Sequence, residues 1–385
     1  METSPESREA VAALGAAAAL WRRRLDSGWL PPEGSSYPWA QVRLSLAALL
    51  PGMANAGAWW EFGRALTPGG YPEVRAPLFS VTLVLAGNTP LMAWSPLCAA
   101  LLAGAARVRV KMSRDETLWP RLFVEALAEV APGVAGRVER YDFPGEDPRT
   151  AALLADADAV IAYGSDETVA ALRAVAPEGA RFFGFGHAVS VGLVHGEAEV
   201  EAAAAGFARD VLMFDQQGCL SPQGIFTAQS ATGDMAAALA RALKAEAVRL
   251  EVPPVSDPAV ASAVRRARDM ALFAGFQVVG DPALRWTVAH CVESRDLPEP
   301  VGHGFVYVLP LKEPAEPADL CRRFGWARGR ISGVGVAGEV SGDLREALER
   351  EGVSRLCRPG EMQTPPLDWP NGGIDLLAEL LRANG

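Results

Sequence analysis

The chain has 385 residues, of which half are hydrophobic and 21% charged, enough apolar material for about two packed domains and inconsistent with a disordered chain. Its formal net charge of −10 argues against general affinity for nucleic acid or anionic membrane, since both require clustered positive charge. Five cysteines, at 98, 219, 291, 321 and 357, include no Cys-x-x-Cys pair, and the histidines at 187, 195, 290 and 303 stand at no metal-ligand spacing; no disulfide framework and no metal are expected, and the cytoplasm is the simplest compartment.

Val11, Leu14, Ala18, Trp21 and Leu25 recur at three and four residues, which predicts an amphipathic helix over Arg8–Asp26. A Gly-, Pro- and Trp-rich stretch follows, with a helix expected at Ala40–Leu50. From Ala76 to Ala106 no residue is charged, long enough for a membrane span. Gly87-Asn88-Thr89-Pro90 and Ser95-Pro96 interrupt it, so a buried strand, a turn and a buried helix fit better than an integral membrane segment.

Strands are then expected at Ser80–Ala86, Arg107–Lys111, Arg137–Tyr141, Ala159–Tyr163 and Ala180–Phe183, with helices at Leu91–Ala105, Glu116–Val130 and Glu167–Val175. Apolar strands alternating with amphipathic helices imply a parallel sheet covered on both faces. A helix at Ala198–Met213 leads to a turn and a strand at Gly224–Ala228; helices at Asp234–Arg249, Pro258–Ala274 and Ala318–Gly325, and strands at Trp286–His290, Phe305–Leu309 and Ile331–Val336, form a second α/β unit. The proline-rich tail from Arg358 ends in a helix at Gly373–Arg382. The expected domains are an N-terminal helical extension (1–75), a dinucleotide-binding domain (76–205), a second α/β domain holding Cys219 (206–357) and a tail returning to the first (358–385).

Cys219, in Phe214-Asp-Gln-Gln-Gly-Cys219-Leu-Ser-Pro-Gln, sits on a glycine-flanked turn between helix and strand. Such a turn lifts a thiol from the packed layers, and nearby glutamines and backbone N–H groups lower its pKa and stabilise an oxyanion; the alternative is an ordinary buried cysteine. Asn88 follows a buried strand, where ligands bind in doubly wound sheets; its amide can donate to a developing oxyanion or cap the next helix. Lys111 and Ser113, at the exit of the second strand, could hold a dinucleotide ribose and 2′-phosphate, or face solvent and cap a helix. Gly164 and Ser165, at a later strand exit, offer a phosphate site or a cap. His187, in a glycine-rich turn, is a candidate proton donor. Gly333-Val-Gly335-Val-Ala-Gly338 has the dinucleotide-loop spacing but lies far from the βαβ series.

The order strand-Asn-x-Pro, strand-Lys-x-Ser, strand-Gly-Ser, glycine-rich turn and Gln-Gly-Cys turn resembles the aldehyde dehydrogenase superfamily over roughly residues 76 to 310. The string Asp215-Gln-Gln-Gly-Cys219-Leu-Ser-Pro-Gln is similar to the acyl-CoA reductase family that includes the fatty-acid reductase component of bacterial bioluminescence systems. The resemblance implies an aldehyde dehydrogenase-like fold of two doubly wound α/β domains. It implies Cys219 as acyl-accepting nucleophile, Asn88 and the Cys219 N–H as oxyanion hole, Lys111 and Ser113 at the adenosine side of NADPH or NADH, and Gly164 and Ser165 by the pyrophosphate. Lys111 with Arg114 leans toward the 2′-phosphate of NADPH. The superfamily binds its dinucleotide without a glycine-rich fingerprint, which demotes Gly333–Gly338, and Glu293 and Glu361 are the candidates for its acidic ribose ligand.

Hydrolytic members carry a glutamate before a Gly-Gly turn; here Arg181-Phe-Phe183-Gly-Phe-Gly-His187 has no carboxylate. Without that base water attacks slowly, which favours reduction of an acyl thioester, such as acyl-CoA, to an aldehyde. An acyl-phosphate reductase, an aldehyde dehydrogenase, or a silent scaffold in a multi-enzyme complex are the alternatives, and a homo-oligomer is compatible with any of them.

Overall fold

The computed structural model describes residues 4–65, 78–145, 147–196, 198–312 and 316–382; the expected junction at residues 75 and 76 falls outside them. The chain divides into two compact units, residues 1–187 with 365–385, and residues 188–364.

The first unit opens with three helices, α1 (Pro5–Asp26), α2 (Trp39–Ala54) and α3 (Ala56–Ala65). Helix α1 starts before the predicted Arg8 because Ser4 Oγ accepts from Ser7 N at 3.1 Å and Pro5 occupies the first turn, a position whose missing N–H costs nothing. Tryptophans fix these helices in place. Trp21 lies 5.4 Å from both Trp29 and Trp94, and Trp39 stacks on Trp119 at 6.0 Å, so the large aromatic surfaces that each indole buries join the extension to the sheet's own helices.

The sheet follows as β1 (Ser80–Val84), α4 (Trp94–Leu102), β2 (Arg107–Lys111), α5 (Leu118–Val130), α6 (Pro132–Ala135), β3 (Val138–Tyr141), α7 (Arg149–Leu154), β4 (Ala159–Tyr163), α8 (Asp166–Val175) and β5 (Arg181–Phe185). All strand pairs are parallel, in the order β3-β2-β1-β4-β5. Every residue of β1 and β4 is buried, as a sheet covered on both faces requires. The uncharged stretch before Ala106 is thus strand, turn and helix, and among the described residues no helix is long and apolar enough to cross a membrane. A C-terminal helix, Leu376–Leu381, completes this unit: Arg181 donates to the carbonyls of Glu379, Leu380 and Arg382 at 2.7, 3.2 and 3.1 Å.

The second unit contains β6 (Val189–Val194), α9 (Val200–Leu212), β7 (Pro222–Ala228), α10 (Thr232–Arg249), α11 (Pro258–Phe273), β8 (Gln277–Gly280), β9 (Thr287–His290), β10 (Phe305–Leu311), α12 (Pro317–Arg323), β11 (Ile331–Ala337), α13 (Gly342–Arg350) and β12 (Arg355–Cys357). Its sheet runs β12-β11-β6-β7-β10-β9-β8, parallel except for the β8–β9 pair. Strands β6, β8 and β12 and helix α13 were not legible in the sequence. The Gly-x-Gly-x-x-Gly string is not a loop: its first five residues belong to β11. A Cβ on Gly335 would lie 2.7 Å from Met362 Sδ, and one on Gly338, whose φ is +126°, would lie 2.6 Å from the His195 carbonyl. Close packing accounts for these glycines without a phosphate.

Candidate active site

In the first unit the strand order reverses between β1 and β4, and ligands of open α/β sheets bind at the carboxyl ends beside such a reversal. The loops leaving those ends carry Asn88 after β1, Ser113 after β2, Gly164 and Ser165 after β4, and His187 after β5, while Lys111 closes β2. Asn88 is half-buried in a bend, and α4 begins only at Trp94 with Ala93 at its cap position. Asn88 is therefore not the cap of that helix. A Cβ on Gly87 would come within 2.5 Å of Ser113 Oγ, so bare backbone lets the first two loops pack together.

Lys111 is buried, with its Nζ 5.3 Å from the centre of the Phe143 ring. Ser113 Oγ accepts from Asp115 N at 3.3 Å. Ser165 caps α8, its Oγ accepting from Thr168 N at 3.2 Å, and Gly164 N donates to the Phe185 carbonyl at 3.2 Å. His187 is exposed and its N–H donates to Asp166 Oδ1 at 2.9 Å. One residue here escaped the sequence reading: Glu116 is buried, accepts from Trp119 N at 3.1 Å, and has its carboxyl pushed up to about 7 by burial. A cation, hydroxyls and close-packed backbone at a strand-order reversal form a donor set that fits a dinucleotide.

In the second unit Cys219 lies at the amino end of β7, after α9 and a short 3-10 turn over Met213–Gln216. Phe214, Asp215 and Gln216 have φ of +55°, +53° and +59°, three successive side chains in the left-handed region. Each such residue costs about 1–3 kcal/mol, and strain of this kind collects at functional sites. Several bonds over-determine it. Gln216 Nε2 donates to the carbonyls of Pro222 and Phe305 at 2.9 and 3.0 Å. Ser190 Oγ on β6 donates to the Cys219 carbonyl at 2.7 Å, and Ser221 N donates to Gly218 O at 2.9 Å.

Cys219 as a residue is half-buried, while its thiol is desolvated. Burial pushes its pKa up, and hydrogen bonds from the Ser332 side chain on β11 and from its own backbone N–H oppose the rise. The expected lowering is thus corrected: the turn's donors are present but desolvation outweighs them. Ser190 was missed because β6 itself was not legible, and Ser332 because it reads in sequence as a small polar residue within an apolar strand.

Behind the turn, the fully buried Asp210 of α9 accepts from Gly360 N at 2.5 Å and Met362 N at 3.0 Å, with its carboxyl pushed up to about 7 by burial. Gln363 Nε2 donates to Ser221 Oγ at 2.7 Å. The segment bearing Glu361 is thereby tied to the cysteine's own turn. A crevice of about 730 Å³ lined by His195, Glu316, Glu339, Ser341 and Asp343 opens at the carboxyl ends of β6 and β11. That is the strand end opposite to Cys219, so its size does not make it the site of the thiol's chemistry.

A family model described as acyl-CoA reductase (LuxC) matches residues 68–383. A long-chain acyl-protein thioester reductase from Aliivibrio fischeri is 24% identical over 285 residues, 72% of this chain and 57% of that protein. The protein of that name from Vibrio harveyi is 25% identical over 311 residues, 76% of this chain and 61% of its own. The chain thus spans about six-tenths of the length of these two relatives. In fold, it is similar to an NAD-dependent aldehyde dehydrogenase from Sinorhizobium meliloti, with TM-score 0.71 and 17% identity, covering 93% of this chain and 75% of that one. The architecture is aldehyde dehydrogenase-like.

Proposed function

The chain belongs to the acyl-CoA reductase (LuxC) family, and from that premise we propose that it reduces an acyl thioester to an aldehyde through an acyl group carried on Cys219. The observation that carries the reading is the construction around Cys219: a half-buried cysteine three residues past a run of three left-handed residues, with its carbonyl held by Ser190 at 2.7 Å. A structural cysteine needs none of this.

Cys219, as thiolate, attacks the acyl carbonyl; the carbon–sulfur bond to the leaving thiol breaks, that thiol takes the proton, and the acyl group remains as a thioester on Cys219. The Ser332 hydroxyl stabilises the thiolate against the cost of burial. Asn88 is assigned the amide that donates to the acyl oxygen as it gains charge, together with the Cys219 N–H. A bound nicotinamide cofactor supplies hydride. Lys111 and Ser113 are assigned its adenosine end, with the lysine's charge matching the 2′-phosphate of NADPH, and Gly164 and Ser165 its pyrophosphate. His187 is exposed just after the end of β5 and is assigned donation of the proton taken up by the thiolate that leaves the acyl donor.

Reduction is favoured over hydrolysis because β5 and the turn after it, Arg181 to His187, carry no carboxylate to activate water. The test is a panel of acyl-CoA and acyl phosphate donors with NADPH, comparing the wild type with Cys219→Ala. Aldehyde formation from acyl-CoA by the wild type alone is expected; equal NADPH consumption by both proteins contradicts the reading.

A further inference from the structure

The left-handed turn before Cys219 faces a second left-handed turn. Gly302, His303 and Gly304 have φ of +75°, +52° and +69°, matching the run at Phe214, Asp215 and Gln216. Two hydrogen bonds join the two, and a third runs to Phe305, the first residue of β10. His303 N donates to the Asp215 carbonyl at 3.2 Å, His303 Nδ1 meets Asp215 Oδ2 at 2.5 Å, and Gln216 Nε2 donates to the Phe305 carbonyl at 3.0 Å. The second turn packs closely on the chain before β9, since a Cβ on Gly304 would lie 2.5 Å from the Arg285 carbonyl. The two turns are therefore joined through backbone and, when His303 is protonated, through an ion pair.

Strain in the cysteine's turn persists only while something outside it enforces the geometry. The Asp215 carboxylate is roughly half-exposed while the His303 ring is mostly buried; a pair this open adds little to global stability, so its contribution lies in local geometry. We infer that His303 and Asp215 form a positioning pair for the nucleophile, holding the 214–216 turn in the left-handed conformation that presents the Cys219 sulfur. This rests on Cys219 being the nucleophile. Neither residue touches the reacting atoms.

The charged groups acting on His303 are Asp215, against its ring, and Asp257, at longer range; Arg285, whose backbone abuts Gly304, is itself paired with Asp281. Both carboxylates raise the His303 pKa, against the effect of burial. The charge-assisted bond is therefore complete below the ordinary histidine range and weakens as pH rises through the raised value. Thiolate formation increases over the same range, so the two ionisations act in opposite directions.

The experiment is the second-order rate of Cys219 alkylation by iodoacetamide as a function of pH, read by peptide mass spectrometry and independent of any reductase activity. The wild type should deviate from a single thiol titration, with the rate per thiolate falling at least threefold as His303 deprotonates. His303→Gln and Asp215→Asn should each remove that inflection and slow alkylation at least tenfold at pH 6.5, and the double variant should lose no more than either single one. A wild-type profile fitted by one ionisation overturns the pair, as do single-variant losses that multiply. If either variant does not fold, the wild-type profile still decides. Absence of alkylation at Cys219 at any pH contradicts its role as nucleophile instead, so the two failures are distinct.

Discussion

The Ser190 hydroxyl donates to the Cys219 carbonyl at 2.7 Å, so the turn bearing the proposed nucleophile hangs from β6, a central strand of its sheet. Ser190 is wholly buried. Ser190→Ala leaves a carbonyl without its donor, and a cost of about 1–3 kcal/mol is expected in denaturant unfolding. Acyl transfer to Cys219, followed by release of free CoA, should slow more than stability alone explains. An unchanged transfer rate in the folded variant would show that this bond does not set the sulfur's position.

Ser332→Ala removes the side-chain hydrogen bond that opposes the upward push of burial on the Cys219 thiol. The thiol should then titrate at higher pH than in the wild type, and its alkylation at neutral pH should fall about tenfold, the order expected for one hydrogen bond to a charged group. The pH profile of alkylation checks both. A profile unshifted from wild type contradicts the role given to Ser332.

Asn88 follows β1 without capping α4, so its replacement removes no helix cap. Asn88→Ala is expected to lower kcat by about 10²–10³-fold, as loss of an oxyanion donor does, with the melting midpoint little changed. Steady-state kinetics with acyl-CoA measures the first and calorimetry the second. A variant that melts early yet keeps its kcat would make Asn88 structural.

Asp210 gives a pH signature for the second unit. Its folded-state pKa, about 7, lies above the ordinary carboxylate value, so the native state binds the proton more tightly than the unfolded chain. Stability is then greatest below the ordinary range and declines as pH rises toward and through 7. Asp210→Asn should flatten that decline while losing one acceptor for the N–H groups of Gly360 and Met362. His303, also raised, contributes a loss of the same sign, so the flattening must be compared with that in His303→Gln. Melting curves between pH 5 and 8 decide it, and a slope unchanged by Asp210→Asn contradicts the account.

Much of this architecture was legible in the sequence. Strands β1 and β4 announced themselves as apolar runs ending in Gly-Asn and Gly-Ser, and α10 and α11 as long periodic segments. Strand β6 was not, because burial on both faces removes alternation, and Ser190 and Gly192 break the apolar run of Val189–Val194. Strands β8 and β12 are short, with no fully buried residue in either. At the site, the string around Cys219 pointed to the residue proposed as nucleophile. Ser190, Ser332 and His303 lie 29, 113 and 84 positions from Cys219 in the chain, and only folding shows that they brace its turn. The sign of the thiol's shift was misjudged for the same reason: local donors can be read from a sequence, but the packing that desolvates the sulfur cannot.

The central claim is that Cys219 carries the acyl group and yields it to hydride. The most direct measurement is the intact and peptide mass of the protein incubated with an acyl-CoA, before and after NADPH is added. The account predicts one acyl mass on the Cys219 peptide, formed with one equivalent of free CoA, and its loss on addition of NADPH with release of the matching aldehyde. No adduct at Cys219, or an adduct that NADPH leaves in place while water discharges it as the free acid, would contradict it.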